Sequence, residues 1–223
     1  MISPDRILYE DDYFLAVNKL SGELVVKGSS LRRGYGRQEG KVEKLPLYDF
    51  LKKDYPGLRV LHRLDFETSG VVLFSKTKEA YEGVRALHRG EWKKTYRTLV
   101  VGRVQKRSGI IRKKLAARGQ GSVDAETRYR VLKCWKDLSF VEAEIETGRH
   151  HQIRKHFAYI GHPLVLDGIY GDERFNKKFA REFRLKKFFL HAYSVELKHP
   201  VTRKQLRIEA AVPKIFEDLV ASL

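Results

Sequence analysis

Hydrophobic and polar residues alternate over many short stretches of this chain, a pattern typical of β-strands with one buried face. Two strands are predicted at 7–9 and 14–19, on either side of an acidic turn at 10–12. The continuous apolar run at 71–74 predicts a strand buried on both faces. Alternating or apolar stretches predict the remaining strands at 96–104, 126–132, 139–146, 188–197 and 205–211.

Helical spacing appears in only a few places. Leu47, Phe50 and Leu51 predict a helix that ends before Pro56. Further helices are predicted at 78–88 and 150–159, and the basic stretch 174–187 is interpreted as a partly helical insertion. Strands that dominate the order, with scattered helices between them, predict an α+β fold. Its core would be a mixed, mostly antiparallel central β-sheet with flanking helices and loops.

The charge of the chain points to a polyanionic partner. Lys and Arg number 45 against 28 Asp and Glu, a net charge of +17, while 42% hydrophobic residues suffice for a folded core. Phosphate contacts dominate the affinity of proteins for nucleic acids, so RNA or DNA is the expected partner. Two Gly-rich basic segments, 27–46 and 102–122, are predicted to be loops that bind phosphates.

Other sequence features argue against several classes of protein. Cys134 is the only cysteine, which excludes an intrachain disulfide and a cysteine-only zinc site and favours a reducing, cytoplasmic location. No signal-peptide core or membrane-length apolar run is present. His150, His151 and His156 superficially suggest zinc, but a spacing of five residues is poor for one helical face. No metal and no membrane association are expected.

The segment 62–70, HRLDFETSG, carries the strongest candidate chemistry. Asp65 lies near Arg63 on a turn that leads into a core strand, and loops held by strands often carry catalytic groups. The residues alone leave a second reading equally open, in which Asp65 caps the turn or pairs with Arg63. Glu67 could form a glycosidase-like carboxylate pair with Asp65, but a strongly basic protein is poorly suited to neutral sugar polymers.

Segment 62–70 resembles the HRLDxxTSG motif of the RluA class of pseudouridine synthases. Three further blocks agree in the same order. Segment 14–22 is similar to the block that ends V-N-K-P-S-G, with Leu20 in place of proline, 94–96 is similar to K-x-Y, and 147–156 is similar to TGRxHQIRxH. Together with the short matches at 161–163, 190–192 and 199–200, the resemblance covers roughly residues 6 to 213.

The resemblance implies an enzyme that isomerises uridine to pseudouridine in RNA, with no cofactor. Asp65 would be the essential carboxylate, acting either as a nucleophile on the ribose or as a base that removes a ribose proton. Tyr96 would stack on the target base and take the C5 proton. Arg154 would be the partner of Asp65, since a guanidinium can hold a carboxylate through two hydrogen bonds.

Four further residues are predicted to bind the substrate. Arg63 would fill the space left by the flipped uridine, and Ile153 would line a pocket with little water. Arg149 and His62 complete the set. His62, together with His151 and His191, is also expected to hydrogen-bond backbone groups around the cleft.

The predicted organisation is a single catalytic domain over 1–223, without a separate N-terminal RNA-binding module, and a monomer. The expected partner is tRNA or large-subunit rRNA; the stretch 161–172 and the basic insertion after it look like a tRNA-modifying branch of the family. The alternative is a non-catalytic RNA-binding or chaperone protein on the same fold. Loss of Asp65 or Tyr96 would have favoured it, and both are present.

Overall fold

A computed structural model describes residues 2–27, 45–88, 90–117, 120–185 and 187–223. In this part of the chain a large β-sheet forms the centre of the molecule, with a small hairpin beside it. The strands of both are β1 (Ile7–Glu10), β2 (Phe14–Lys19), β3 (Arg59–Val60), β4 (Ser69–Ser75), β5 (Trp92–Val101), β6 (Ser108–Arg112), β7 (Leu115–Ala116), β8 (Ser122–Val123), β9 (Glu126–Cys134), β10 (Leu138–Ile145), β11 (Leu190–Lys198) and β12 (Gln205–Glu209).

The large sheet has the order β1-β2-β4-β11-β5-β10-β9-β6, with β12 paired to β11 and β3 paired to β4. The pairing of β11 with β4 is parallel, and the other pairings described in this sheet are antiparallel. The sheet is therefore mixed and mostly antiparallel, as predicted. β11 lies between β4, which follows the Asp65 turn, and β5, which carries Tyr96, so it joins the two halves of the sheet.

Gly70 makes the parallel junction possible. Its φ of +108° is a conformation that side chains disfavour, and a Cβ placed there would lie 2.2 Å from the carbonyl oxygen of Ala192 in β11. The backbones of β4 and β11 can approach only because residue 70 has no side chain. The glycine of the motif is thus required by the sheet itself.

Five helices in the described residues cover the sheet: α1 (Leu47–Leu51), α2 (Lys78–Arg85), α3 (Gln152–Tyr159), α4 (Glu173–Phe183) and α5 (Lys214–Ser222). Side-chain caps start two of them, since Thr77 accepts a hydrogen bond from Ala80 N and Asp172 accepts one from Phe175 N. Three apolar clusters hold the layers together. The first contains α1 and α3, the second α2, and the third α4 and α5.

The structure confirms most predicted elements, but β3 was not predicted, and the strand predicted at 96–104 is β5, which runs from Trp92 to Val101. Segment 102–122 is not simply a loop, because β6 extends the sheet and β7 and β8 form a hairpin. The helix predicted at 78–88 ends at Arg85, and α5 was not predicted. The other basic segment, 27–46, lies outside the described residues except at its ends. Where the structure describes the chain, none of its helices is long and apolar enough to cross a membrane.

Candidate active site

A buried lysine, Lys19, stabilises the turn that carries Asp65. Lys19, at the end of β2, is fully buried and donates hydrogen bonds to the carbonyls of Leu20 (2.9 Å) and Phe66 (3.0 Å). Gly22 N also donates to Phe66 O at 2.8 Å. Burial lowers the pKa of Lys19 to about 7, which the negative charges of Glu23 and Asp65 oppose. Segments 14–22 and 62–70, two of the motif blocks, therefore contact each other at the turn that carries Asp65.

Tyr96 lies in the middle of β5 with only small neighbours beside it. In the sheet it pairs with Ala143 of β10 on one side and Ala192 of β11 on the other. The side chains directly opposite Tyr96 on both neighbouring strands are therefore small, and Tyr96 itself is 93% buried in the protein. Burial, and secondly the negative charge of Asp65, raise the pKa of the Tyr96 phenol, so it stays protonated at neutral pH.

Arg154 approaches Asp65 but forms its two-pronged contact with another residue. Its Nη1 lies 3.8 Å from Asp65 Oδ2, an ion pair rather than a hydrogen bond. Its Nε and Nη2 donate to Asp167 at 2.6 Å and 2.7 Å. The prediction that Arg154 holds Asp65 through two hydrogen bonds is therefore wrong in its geometry, because Asp167 occupies that edge of the guanidinium.

Asp167 is the main site residue that the sequence analysis missed. Its side chain is fully buried, and besides Arg154 it accepts hydrogen bonds from the backbone N–H groups of Ile169 and Tyr170. Burial favours the neutral acid, but these hydrogen bonds outweigh it and hold the pKa of Asp167 below its usual value. An acidic residue within the otherwise apolar run 163–170 is a sequence signal for a buried, paired carboxylate.

Two aromatic rings complete the surroundings of Arg154. The guanidinium carbon lies 4.6 Å from the centroid of Phe188 and 5.2 Å from that of Tyr170. Burial alone would lower the pKa of Arg154, but the hydrogen bonds and charge of Asp167 more than compensate and raise it. Asp167, Phe188 and Tyr170 therefore fix the position of the Arg154 guanidinium, which faces Asp65.

His151 stands on the other side of Asp65. It begins α3 in a left-handed conformation, with φ +53°, which turns its ring toward the cleft. Its Nε2 lies 3.8 Å from Asp65 Oδ2, and its Nδ1 is 3.2 Å from the Tyr170 hydroxyl, so its ring contacts side chains rather than the predicted backbone groups. Burial lowers the pKa of His151 to about 4, despite the opposing charge of Asp65. His151 is therefore neutral at pH 7.

Buried polar residues attach α3 to the sheet. Gln152 donates to Glu126 O (2.9 Å) and accepts from the Thr147 hydroxyl (2.8 Å), so it links the 147–149 turn to β9. His156 Nε2 donates to Lys113 O at 3.1 Å, and its Nδ1 accepts from the Thr127 hydroxyl at 2.8 Å. These bonds fix the helix that presents Arg154, and they explain why this block contains Gln and His at buried positions.

A cavity of about 420 Å³ opens above these groups, within the range of sites that bind small ligands. Its wall includes Arg63, Asp65, Tyr96, Arg149, Ile153 and Arg154, which are six of the seven predicted site residues. Buried apolar residues line it further, and the β7–β8 hairpin contributes part of one side. Asp65 is the only carboxylate among the described residues that line it, so the two-carboxylate glycosidase arrangement is absent from this wall.

His62 is the predicted substrate-binding residue that the structure places elsewhere. Its Nε2 accepts a hydrogen bond from Leu73 N at 3.0 Å, and its ring packs edge-on against Trp92 at 5.7 Å. It does not line the cavity, so the expectation of substrate contact is corrected while the expected backbone hydrogen bond is confirmed. His191 also bonds backbone, through Nε2 to Ala210 O at 3.0 Å.

The described ranges contain no cluster of metal-binding side chains. No group of three or more His, Cys, Asp or Glu side chains there is placed to hold a metal ion. His150 and His151 stack with ring centroids 3.7 Å apart, while His156 points away to Thr127 and Lys113. The three histidines of this block therefore have separate roles in the fold.

Comparison with known proteins identifies relatives across nearly the whole chain. A family model described as RNA pseudouridylate synthase matches residues 13–159. The ribosomal large subunit pseudouridine synthase C of Vibrio vulnificus strain CMCP6 is 33% identical over 98% of this chain and 69% of its own length. The protein of the same name from Salmonella typhimurium strain LT2 is 36% identical over 92% of this chain and 66% of its own length.

Solved structures agree on the fold. Human RNA pseudouridylate synthase domain containing 4 superposes with a TM-score of 0.76, covering 97% of this chain and 92% of that one, at 22% sequence identity. Human RNA pseudouridylate synthase domain containing 1 gives a TM-score of 0.68 at the same identity, covering 97% and 93% of the two chains. The α+β architecture described above is therefore shared with these proteins.

Proposed function

Because the chain belongs to the RNA pseudouridylate synthase family, and is thus an isomerase that makes pseudouridine in RNA, we propose that it acts on large-subunit ribosomal RNA with Asp65 as its essential carboxylate. The observation that carries the role of Asp65 is its position. It is the only carboxylate among the described residues that line a cavity whose wall also contains Tyr96 and Arg154. Because the family consists of enzymes, its match argues against the alternative of a non-catalytic RNA-binding or chaperone protein.

The reaction breaks the C–N glycosidic bond of uridine and joins C5 of the base to the same ribose carbon. Asp65 would start it, either by attacking that carbon or by removing a ribose proton. Both steps need a carboxylate, and Arg154 and His151 face its Oδ2 at 3.8 Å. Because His151 is neutral at pH 7, Arg154 would supply the positive charge opposite Asp65 during the reaction.

Tyr96 would bind the base and then move its proton. Tyr96 lies in the cavity wall with alanines directly opposite it on both neighbouring strands, and its ring would stack on uracil there. Because burial keeps the phenol protonated at neutral pH, its oxygen would take the C5 proton late in the reaction, after the new C–C bond has formed, as its own hydroxyl proton passes to solvent. Leu64, Ile145, Ile153 and Leu190 are buried in the cavity wall and would keep water from the detached uracil.

The rim of the cavity would hold the RNA. Arg63 and Arg149 are exposed at the cavity, where Arg63 would fill the gap left by the flipped uridine and Arg149 would contact phosphate. The names of the relatives favour large-subunit rRNA over tRNA as the substrate. We also propose that residues 1–223 act as a single catalytic unit and as a monomer, for which sedimentation at moderate salt is the test.

Tritium release from RNA labelled at uracil C5 tests the proposal directly. Unmodified large-subunit rRNA and bulk tRNA would be supplied separately, with wild-type protein beside Asp65→Asn. We expect release from rRNA with wild type and at least a 1000-fold loss in the variant, roughly the rate effect of about 4 kcal/mol. Affinity for RNA should change less than about threefold, since phosphate contacts come from cations and Asp65 is a carboxylate.

Glu67→Gln is the matched control, because it removes a carboxylate from the same turn that does not line the cavity. This variant should keep most of the wild-type rate. Release from tRNA alone would replace the proposed substrate while leaving the role of Asp65 intact. Normal turnover by Asp65→Asn would overturn that role.

A further inference from the structure

A second cavity, of about 290 Å³, lies at the end of the sheet away from Asp65. It is bounded by the segment that follows β5 and by the last residues of β9. Arg103, Arg107 and Lys133 contribute to its wall, together with Gln105 and Cys134, and no carboxylate lines it. Apolar Val104 and Val131 also line it, and Val104 is buried.

The cations of this recess are free of carboxylate partners. In the described parts of the chain, the side chains of Arg103 and Arg107 have no hydrogen bond or ion pair within the protein. Lys133 makes a single long hydrogen bond to Val220 O at 3.5 Å and lies 4.8 Å over the Trp135 ring. By contrast, Arg130 and Arg97 on the same sheet are both paired with Glu142. Unneutralised cations in one recess create a local positive potential that attracts anions.

The recess and the active site lie at opposite ends of one strand. Glu126 begins β9 and accepts the hydrogen bond of Gln152, which lines the catalytic cavity, whereas Lys133 lies near the end of the strand. Seven residues at roughly 3.3 Å each separate the two ends by about 23 Å. A stacked nucleic acid strand advances roughly 3.4 Å per nucleotide, so this distance corresponds to about seven nucleotides.

We propose that the recess formed by Arg103, Arg107 and Lys133 binds the phosphate backbone of the substrate RNA about seven nucleotides from the target uridine. This inference rests on the proposed function, since it assigns a second contact to the same substrate. Three cations without carboxylate partners, in a wall that contains no acidic residue, match a segment of a polyanion. The contact requires an RNA long enough to reach from one end of β9 to the other, so a minimal stem-loop around the uridine would not use it.

The single cysteine of the chain makes the contact measurable without activity. Cys134 is exposed and lines the recess, so its rate of modification by a thiol reagent reports what covers this site. A long rRNA transcript should slow modification by at least tenfold, while a stem-loop of about ten nucleotides should not. Inorganic phosphate and a mononucleotide serve as further probes, and equal protection by either would show a small-anion site and overturn the proposal.

A triple variant tests how much the three cations of the recess contribute to RNA binding. Arg103→Gln/Arg107→Gln/Lys133→Gln should lower the slope of log affinity against log salt by about 2–3, because each phosphate contact contributes roughly 0.7–0.9. It should also raise KM for the long transcript about tenfold, keep kcat, leave the stem-loop unaffected and abolish RNA protection of Cys134. The matched control is Lys78→Gln/Lys177→Gln/Lys214→Gln, which removes the same charge from lysines paired with carboxylates one helical turn away.

The outcomes separate the two proposals. If no RNA releases tritium but the long transcript protects Cys134, the proposed substrate fails and so does the assignment of this contact to it, while the recess remains a site that binds RNA. If tritium is released but both triple variants share one salt slope and one KM, the second contact is wrong and the catalytic proposal stands.

Discussion

Arg154 interacts with two carboxylates, but the contacts differ in kind. Asp167 takes its Nε and Nη2 at hydrogen-bond distance inside the protein, which leaves Nη1 to face Asp65 at the edge of the cavity. The tight contact fixes the direction of the guanidinium, and the looser one leaves room for Asp65 to engage the ribose. Asp167 is therefore a positioning residue that acts through Arg154.

Replacing Asp167 by Asn should weaken the contact of Arg154 with residue 167 and leave Asp65 itself unchanged. The loss of one partner of a buried ion pair costs about 3–5 kcal/mol of unfolding free energy when the other charge stays buried. We expect a loss of stability in this range, and a fall of kcat by at least tenfold with little change in RNA affinity. Urea unfolding and tritium release would measure both effects.

Asp172→Asn provides the comparison, because it changes an exposed carboxylate that caps α4 five residues later, and Asn also caps helices well. It should change both quantities little. A normal kcat for Asp167→Asn, with stability reduced, would mean that Asp167 supports the fold without directing Arg154.

His62 makes stability depend on pH. Burial, and then the charge of Lys94, lower the pKa of His62 to about 3, against 6.5 for the free side chain. Below pH 6.5 the His62 side chain binds a proton in the unfolded chain but stays neutral in the folded protein. The free energy of unfolding therefore decreases as the pH falls toward 3. This one group should cost about 2 kcal/mol of stability between pH 7 and pH 5.

His62→Gln can still accept the hydrogen bond of Leu73 N but does not titrate. Its loss of unfolding free energy between pH 7 and pH 5 should therefore be about 2 kcal/mol smaller than that of wild type. Urea titrations at the two pH values measure the difference. Identical losses in both proteins would show that His62 becomes protonated in the folded state.

At the level of elements, the junction of β4 with β11 places the motif turn beside the rest of the site. Gly70→Ala would bring a methyl group to 2.2 Å from Ala192 O and also force a positive φ on alanine. Gly161→Ala imposes a similar positive φ with no atom within 4 Å, so it is a matched control for backbone strain alone. The control should lose about 1–2 kcal/mol.

Gly70→Ala should lose several kcal/mol more than this control, or should fail to fold, because the clash lies between two central strands. Thermal unfolding of both variants measures the difference. Equal losses would indicate that the junction can open to accept a side chain, and that the glycine is needed for its backbone conformation alone.

The elements that could be predicted are those whose pattern depends on local burial. β9 and β10 follow from apolar alternation, β4 from a continuous apolar run, and α1 from helical spacing. β6 could not be predicted, since most of its residues are exposed and its strand conformation comes from pairing with β9. The short helix α5 was missed although it buries Phe216 and Leu219.

The site residues also differ in whether a local sequence pattern predicts them. Asp65, Tyr96 and Arg154 follow from the motif blocks, because each block is a local string of residues. The Asp167 contact depends on how the chain after α3 returns to the helix, and no local pattern contains that information. His62 was placed wrongly for a related reason, since its direction is set by Leu73 on a neighbouring strand.

For the whole molecule, the net charge of +17 is distributed in two ways. Many cations on the described surface are paired with carboxylates, such as Arg207, which pairs with both Glu196 and Glu209. Among the described residues, the rims of the two cavities also carry arginines without a carboxylate partner, including Arg63 and Arg103, and such cations occur elsewhere on the surface as well, for example Lys53 and Arg203. The unpaired arginines at the two cavities are expected to attract RNA to these places.

The position of β11 in the sheet also has a consequence during synthesis on the ribosome. The strand begins at residue 190, whereas the two strands that it joins end at residues 75 and 101. At about 5–20 residues per second, β4 and β5 must wait several seconds for the strand that comes between them. A nascent chain therefore carries the Asp65 and Tyr96 halves of the cleft without their connection, and catalytic competence arises only late in translation.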